Sequence, residues 1–233
     1  MHEKRIVMKV SGEALKEGDK AIASTMLEKV YEDVELLKDS QLIITVGGGN
    51  LFRGRNNIGI SSIRMDQIGM LSTLINTLAL TDYLQSKGVK AKFYCAFEVA
   101  GIAKMYDYNE VLKDLEQGFV VLLAGGVGLV DYSTDLVTVK RAIELKADLI
   151  LMAKNVDGVY DCDPKSNPEA KKFTNLSFAE FFDLGARAIN NSVIDFEAIT
   201  LLAKHKIPLY IYSAKTGSLT NFINKDYDGT FIK

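Results

Sequence analysis

The sequence predicts an α/β fold, a mainly parallel sheet sandwiched between helices. Three observations predict it. Strand-like and helix-like segments alternate from one end of the 233-residue chain to the other. Several strand-like runs stop at glycine: at Ser11-Gly12, at Gly47-Gly48-Gly49 and at Gly125-Gly126. No long linker, repeat or low-complexity stretch interrupts the alternation, and only three prolines are present. One domain over residues 1–233 is expected. In open parallel sheets, ligands bind at the carboxyl ends of the strands, so the glycine turns are the places to look for chemistry.

Taken in order, residues 5–10 (RIVMKV) read as a strand. Met26, Leu27, Val30, Val34 and Leu37 recur at helical spacing, with Ser24 and Thr25 as cap candidates. Residues 42–46 (LIITV) form a short buried strand running into three glycines. A long helix is predicted over residues 66–84, with Met70, Leu71, Leu74, Ile75 and Leu78 on its apolar face. A strand at 90–94, a polar helix at 109–115 and a strand at 119–123 follow. Residues 134–145 read as helix and 149–152 as a strand ending at Lys154-Asn155. Helices at 177–184 and 195–204 precede a last strand at 209–212 that closes the sheet, and Gly217-Ser218 and Gly229-Thr230 mark late turns.

Composition narrows the function. Apolar residues make up 48% of the chain, which fits a globular protein. The 28 basic and 30 acidic side chains nearly cancel, so nucleic acid is not expected as a partner. No apolar run approaches a membrane span of roughly 20 residues, and the opening Met-His-Glu-Lys-Arg carries no apolar signal region. A cytoplasmic protein without membrane attachment is expected. Cys95 and Cys162 stand far apart, in no metal-ligand spacing, and read as reduced thiols. His2 and His205 have no nucleophile or ligand partner in the sequence, so neither a hydrolase triad nor a protein-held metal is suggested.

Five turns carry the candidate chemistry. Lys9-Val10-Ser11-Gly12 puts an ammonium one step before a tight turn, where it could meet a transferring phosphoryl group; taken alone it reads as a solvated strand-end lysine. Residues 47–54 (GGGNLFRG) remove three Cβ atoms in a row, so backbone can approach a ligand. They add Arg53, a planar fork suited to phosphate. A helix starting near Asn50 would favour an anion there. Asp66 is either a helix cap or a ribose acceptor. Residues 125–135 offer a glycine turn, cap candidates Ser133 and Thr134, and Asp135 as a dipole partner or a carboxylate near Mg²⁺. Residues 154–164 are turn chemistry around Tyr160, which could flank a purine.

Taken together, these segments resemble a known family. Lys9-Val10-Ser11-Gly12-Glu13-Ala14-Leu15, the 47–54 run, Asp66 with Gly69-Met70-Leu71, and Val156-Asp157-Gly158-Val159-Tyr160 with Asp163-Pro164 are similar to the bacterial UMP kinases of the amino acid kinase superfamily, in order and over essentially the whole chain. The resemblance implies an amino acid kinase-like fold with an acceptor-binding N-terminal part and an ATP-binding C-terminal part. It implies transfer from ATP to UMP, in pyrimidine nucleotide synthesis, with Mg²⁺ arriving on ATP.

It also assigns roles. Lys9, Arg53, Asp135 and Asp195 would be catalytic. Lys9, Val10, Ser11, Gly12, Gly49, Arg53, Lys154, Asn155, Tyr160 and Asp163 would bind ATP. Gly48, Asp66, Val127, Gly128, Leu129, Val130, Asp131, Tyr132, Ser133 and Thr134 would hold UMP. Val127 and Leu129 depart from the family, replacing a threonine and an asparagine that could read the base. A homohexamer is implied. A carboxylate or carbamate kinase of the same fold, and a non-catalytic nucleotide-binding or storage protein, are the rival readings.

Overall fold

The computed structural model describes residues 4–53, 59–154, 156–164, 166–187, 193–214 and 219–233. Asn155, Gly54 and the Gly217-Ser218 turn therefore lie outside the described residues. Strand β1 (Arg5–Val10) sits mid-sheet, between β2 (Gln41–Val46) and β5 (Leu149–Lys154), parallel to both. On the β2 side come β4 (Val120–Ala124) and then β3 (Ala91–Cys95) at the edge; on the other come β9 (Leu209–Ser213), β10 (Thr230–Ile232) and β8 (Asn175–Leu176). Every neighbouring pair is parallel except β9 with β10.

Two differences from the sequence reading concern the C-terminal half. The strand at 209–212 does not close the sheet, because β10 returns antiparallel beside it and β8 follows. Gly229 makes that return possible: a Cβ there would lie 2.1 Å from the Ile211 carbonyl oxygen, so Gly229 is a packing position and Thr230 already belongs to the strand. The region around Tyr160 is not only loop. Strands β6 (Val159–Tyr160) and β7 (Lys172–Phe173) pair antiparallel outside the main sheet.

Helices α1 (Ser24–Leu36), α2 (Ser62–Ser86) and the short α7 (Leu219–Ile223) cover one face. Helices α3 (Tyr108–Glu116), α4 (Thr134–Glu144), α5 (Phe178–Arg187) and α6 (Phe196–His205) cover the other. Strand parity sorts the side chains between them. Ile6, Met8 and Val10 of β1 join Leu42, Ile44 and Val46 of β2 under α1 and α2. Val7 and Ile43 face the α4 layer. Lys9 shares the parity of Val7, so its side chain also enters the α4 layer, as its contact there shows.

Helix starts differ from the expected caps. Ala23, not Ser24 or Thr25, is the N-cap of α1, and it makes no side-chain cap bond; Thr25 instead donates its hydroxyl to Glu17 at 2.7 Å. Helix α2 begins at Ser62, so Asp66 lies inside its first turns and is not a cap.

The apolar face expected on α2 is inverted. Leu71, Ile75 and Leu78 are exposed, while Ser72, Thr73, Asn76, Thr77 and Thr81 are buried beside Leu74. The cause is what α2 packs on. A Cβ at Gly48 would lie 2.8 Å from the Ser72 Cβ and 2.9 Å from the Gly69 carbonyl oxygen. The glycine turn therefore presses against the helix, and only small side chains fit between them. The buried hydroxyls stay satisfied by bonding back one turn: Ser72 to the Ile68 carbonyl at 2.8 Å, Thr77 to Thr73 at 2.8 Å and Thr81 to Thr77 at 2.7 Å.

Candidate active site

The site forms where the C-terminal ends of β1, β2, β4 and β5 meet the start of α4. Backbone packs on backbone between the first two turns. Gly47 donates its N–H to the Val10 carbonyl at 2.8 Å. A Cβ on Gly12 would come within 2.7 Å of the Gly49 nitrogen and 2.9 Å of the Gly47 oxygen. Buried Asn76 clamps this arrangement, donating to the Gly47 carbonyl at 2.7 Å and exchanging bonds with the Asn50 amide. The three glycines thus do different things. Gly47 meets Gly12, Gly48 meets α2, and Gly49 faces open space, its nearest neighbours being Arg53 and Glu13 at 3.9 Å and 4.0 Å. No helix starts at Asn50. Residues 49–51 form a turn in which Leu51 and Phe52 donate to the Gly48 carbonyl, so the expected helix-terminus anion site there is absent.

Charge is concentrated at the start of α4. Ser133 caps the helix, accepting from the Leu136 N–H at 3.1 Å; Thr134 is its first residue. Asp135 lies in the first turn, buried, and receives two ammonium groups. Lys9 Nζ stands 2.5 Å from Oδ1, and Lys154 Nζ donates to Oδ2. Burial pushes the Asp135 carboxyl up, but the two ammoniums outweigh it and hold the carboxyl below its ordinary range. Burial, reinforced by the neighbouring Lys9 charge, lowers Lys154 against the opposing pull of Asp135. Asp195, the N-cap of α6, accepts the Ser133 hydroxyl and lies close enough to Lys154 to act on its charge. A shared hydroxyl bond at 2.7 Å between Thr45 of β2 and Thr138 of α4 pins the helix to the sheet.

Beside this cluster a cleft of about 200 Å³ opens between the glycine turns and α2. Of the sequence-predicted residues, Gly48, Gly49, Asp66, Leu129, Tyr132 and Thr134 line it. Asp66 accepts the Asp131 N–H at 2.6 Å across the cleft mouth. Val127, Gly128, Val130, Asp131 and Ser133 belong to the same turn without lining that space; Gly128 donates to the Gly125 carbonyl at 3.0 Å. The Arg53 guanidinium is exposed and pairs with Glu13 at 2.9 Å. Val10 ends the buried strand, Ser11 caps the 3-10 turn Gly12–Leu15, and Gly12 opens it.

Two predicted residues sit elsewhere. Tyr160 donates its hydroxyl to Asp157 at 2.7 Å on the β6–β7 hairpin, and exposed Asp163 forms the adjoining turn, its carbonyl accepting from Asn167 at 3.0 Å. Sequence reading missed Asn76, Thr73 and the pairing of Lys154 with Asp135. Thr73 accepts the Gly125 N–H at 2.8 Å, tying α2 to the second glycine turn. A threonine or asparagine inside a predicted apolar helix is the signal that pointed to it.

Among the described residues no group of three His, Cys, Asp or Glu side chains could hold a metal. Both Asp135 oxygens already receive ammoniums and an Asp195 oxygen receives Ser133. The side chains at this spot do not fit a protein-held cation. No described helix is long and apolar enough to cross a membrane.

A lysine-bearing β1 turn, a triple-glycine β2 turn and a buried Lys–Asp–Lys cluster share one sheet edge. The profile of the amino acid kinase family matches residues 4–213. The chain belongs to the amino acid kinase family. Within it, a uridylate kinase of Haemophilus influenzae is 39% identical, over 98% of this chain and 97% of that protein. A uridylate kinase of Mannheimia succiniciproducens is 37% identical over the same shares. The crystal structure of a UMP kinase from Ureaplasma parvum superposes with a TM-score of 0.92 at 29% identity, covering 100% of both chains. The expected fold class is thereby met, since these neighbours share its mostly parallel, helix-flanked sheet.

Proposed function

We propose that this chain is an ATP-dependent kinase that phosphorylates UMP, giving UDP and ADP. The observation that carries the reading is the buried Lys9–Asp135–Lys154 cluster standing next to the cleft lined by Gly48, Asp66 and Thr134. A phosphate acceptor is already an anionic nucleophile, so the site needs no general base. Its task is to position two phosphates and neutralise the charge between them. Lys9 is suited to the transferring group, because Asp135 holds its ammonium in a fixed, poorly solvated place. Arg53 adds a second cation from the turn after β2, and swings from Glu13 onto phosphate when substrate arrives. The Asp66 carboxylate accepts ribose hydroxyls, and residues 127–134 surround the uracil.

ATP binds across Lys9, Val10, Ser11, Gly12 and Gly49, with Tyr160 and Asp163 toward its adenine. The acceptor lies mainly against the N-terminal part, and the adenine end of the donor against the C-terminal part. Lys154 serves the charge cluster and not the adenine pocket, since its ammonium is engaged by Asp135. The ATP phosphates, with water, would hold Mg²⁺, which would add charge neutralisation at the transfer site. The enzyme is cytoplasmic and serves pyrimidine nucleotide synthesis.

We also infer a homohexamer. Exposed Ile63, Leu71, Ile75 and Leu78 along one helix support self-association, because monomers rarely present such stripes to water. Sedimentation equilibrium gives the mass directly.

A panel of nucleoside monophosphates and carboxylates, read by ADP release, tests the function. Turnover with UMP is expected. Turnover with glutamate or aspartate alone would select the carboxylate-kinase reading, and nucleotide binding without ADP release the storage reading. No observation favours either.

A further inference from the structure

Arg141 lies on α4 two turns beyond Asp135, and it is buried, with 7% of its surface exposed. Its guanidinium carbon stands 3.7 Å from the centre of the Tyr106 ring. Nη1 donates to Glu144 at 2.7 Å, Nη2 reaches the Gly126 carbonyl at 3.4 Å, and Nε is buried without a partner. A pair with Glu144 alone needs no buried arginine. What distinguishes the arrangement is the long contact to Gly126, a lining residue of the acceptor cleft.

The Gly125–Gly126 turn is closed by the Gly128 N–H on the Gly125 carbonyl and is tied to a helix on either side. Thr73 accepts the Gly125 N–H from the α2 side, and Arg141 holds the Gly126 carbonyl from the α4 side. Both glycines have positive φ, 72° and 64°, so the turn is a conformation that is set by its neighbours and not by side chains of its own. In a trans peptide the carbonyl and the following N–H point to opposite sides. A Gly126 carbonyl turned to Arg141 therefore turns the Val127 N–H away from it. That N–H donates to no protein group among the described residues.

We infer that Arg141 is a positioning residue for the acceptor. By holding the Gly126 carbonyl, it fixes the orientation of a backbone segment in the wall of the acceptor cleft, against which the bound pyrimidine lies. Backbone thereby shapes the wall at a turn whose Val127 and Leu129 side chains offer no hydrogen bond. The inference rests on the acceptor reading of the cleft.

Arg141→Lys tests it, since lysine keeps the buried charge while losing the flat fork that reaches both Glu144 and Gly126. The expected result is a KM for UMP raised about tenfold, the size of one lost hydrogen bond, with kcat and the KM for ATP unchanged and a near-native melting temperature. A wild-type KM for UMP in the folded variant overturns the inference. So does a fall in kcat with equal changes in both KM values, which marks a structural role. Should the lysine variant not fold, Glu144→Gln separates the roles. It removes the ion pair but leaves Gly126 held, and it is expected to keep the wild-type KM for UMP; a raised KM there overturns the inference. Failure of the parent chain to turn over UMP would instead overturn the acceptor reading.

Discussion

Lys9 and Arg53 both bring positive charge to the same sheet edge, and they are held in opposite ways. Lys9 is the penultimate residue of a buried strand, is 8% exposed and has its ammonium fixed at 2.5 Å from Asp135. Arg53 sits in a turn, its side chain is 59% exposed, and its partner Glu13 is also solvent-accessible. A buried ion pair has already met its desolvation cost on folding and does not reorganise when charge develops on a substrate. An exposed pair is worth little and is easily exchanged for a phosphate. One cation is therefore preorganised, and the other is available to be recruited. The buried one should control turnover together with fold integrity, and the exposed one turnover alone.

The largest expected effect comes from the buried side. Lys9→Met should lower kcat by about 10²–10³-fold, the range seen when one preorganised stabilising group is removed, measured by ADP release at saturating substrates. Turnover within a few-fold of wild type would break the contrast, because an unneeded Lys9 would make its burial purely structural.

Asp135→Asn tests the other half of the pair. It leaves two buried ammoniums side by side without a counter-charge, at a cost of about 3–5 kcal/mol, read by urea denaturation at pH 7. The pH dependence follows from the depressed Asp135 carboxyl. Its contribution is complete above the unfolded carboxylate value of about 3.9 and is lost as the pH falls through the lower folded value. Wild type should thus lose its advantage over Asp135→Asn only in acid below about pH 4. An advantage that fades already near pH 6 would place the stabilisation elsewhere.

Arg53→Ala should leave the melting temperature within a degree or two while kcat/KM drops by about 10–100-fold, as for one charged contact to a substrate. A comparable loss of stability would erase the distinction between the two cations.

A third place sharpens the contrast. Asp33 on α1 is a half-buried carboxyl that pairs with no cation among the described residues; it accepts a backbone bond from Leu219 and sits near Glu32. Burial, with Glu32, pushes it up to about 7, the reverse of Asp135. A folded value raised above the unfolded one means stability is lost as the pH rises from about 4 through about 7. Asp33→Asn should therefore raise the melting temperature more at pH 8 than at pH 5. An equal gain at both would show that Asp33 is not titrating between them.

Much of this was legible in the sequence. Strand β1 matched residue for residue, and the helix at 134–145 and the strand at 149–152 were displaced by no more than two residues at their ends, because aliphatic runs and glycine stops are local signals. Lys9 and Gly48 stood out for the same reason, each beside a strand end, and Asp66, Thr134 and Asp135 as acidic or hydroxyl residues at expected helix starts. Helix α2 shows where local reading stops. Its apolar spacing was real, but which face turns inward depends on a glycine turn 24 residues upstream of Ser72 pressing on it, and that cannot be read from periodicity.

By itself the sequence determined the alternating architecture, the order of the turns and the residue types available at each. Those are written in spacing and in the absence of Cβ atoms. Only the tertiary structure decided which charges meet. Lys9 and Asp135 are 126 residues apart and Lys154 comes from another strand. Strand parity, the packing of α4 on β1 and β2, and the shared Thr45–Thr138 bond bring the three together. An ammonium whose neighbours come from distant strands has no local signature, because its environment is set by the register of the sheet.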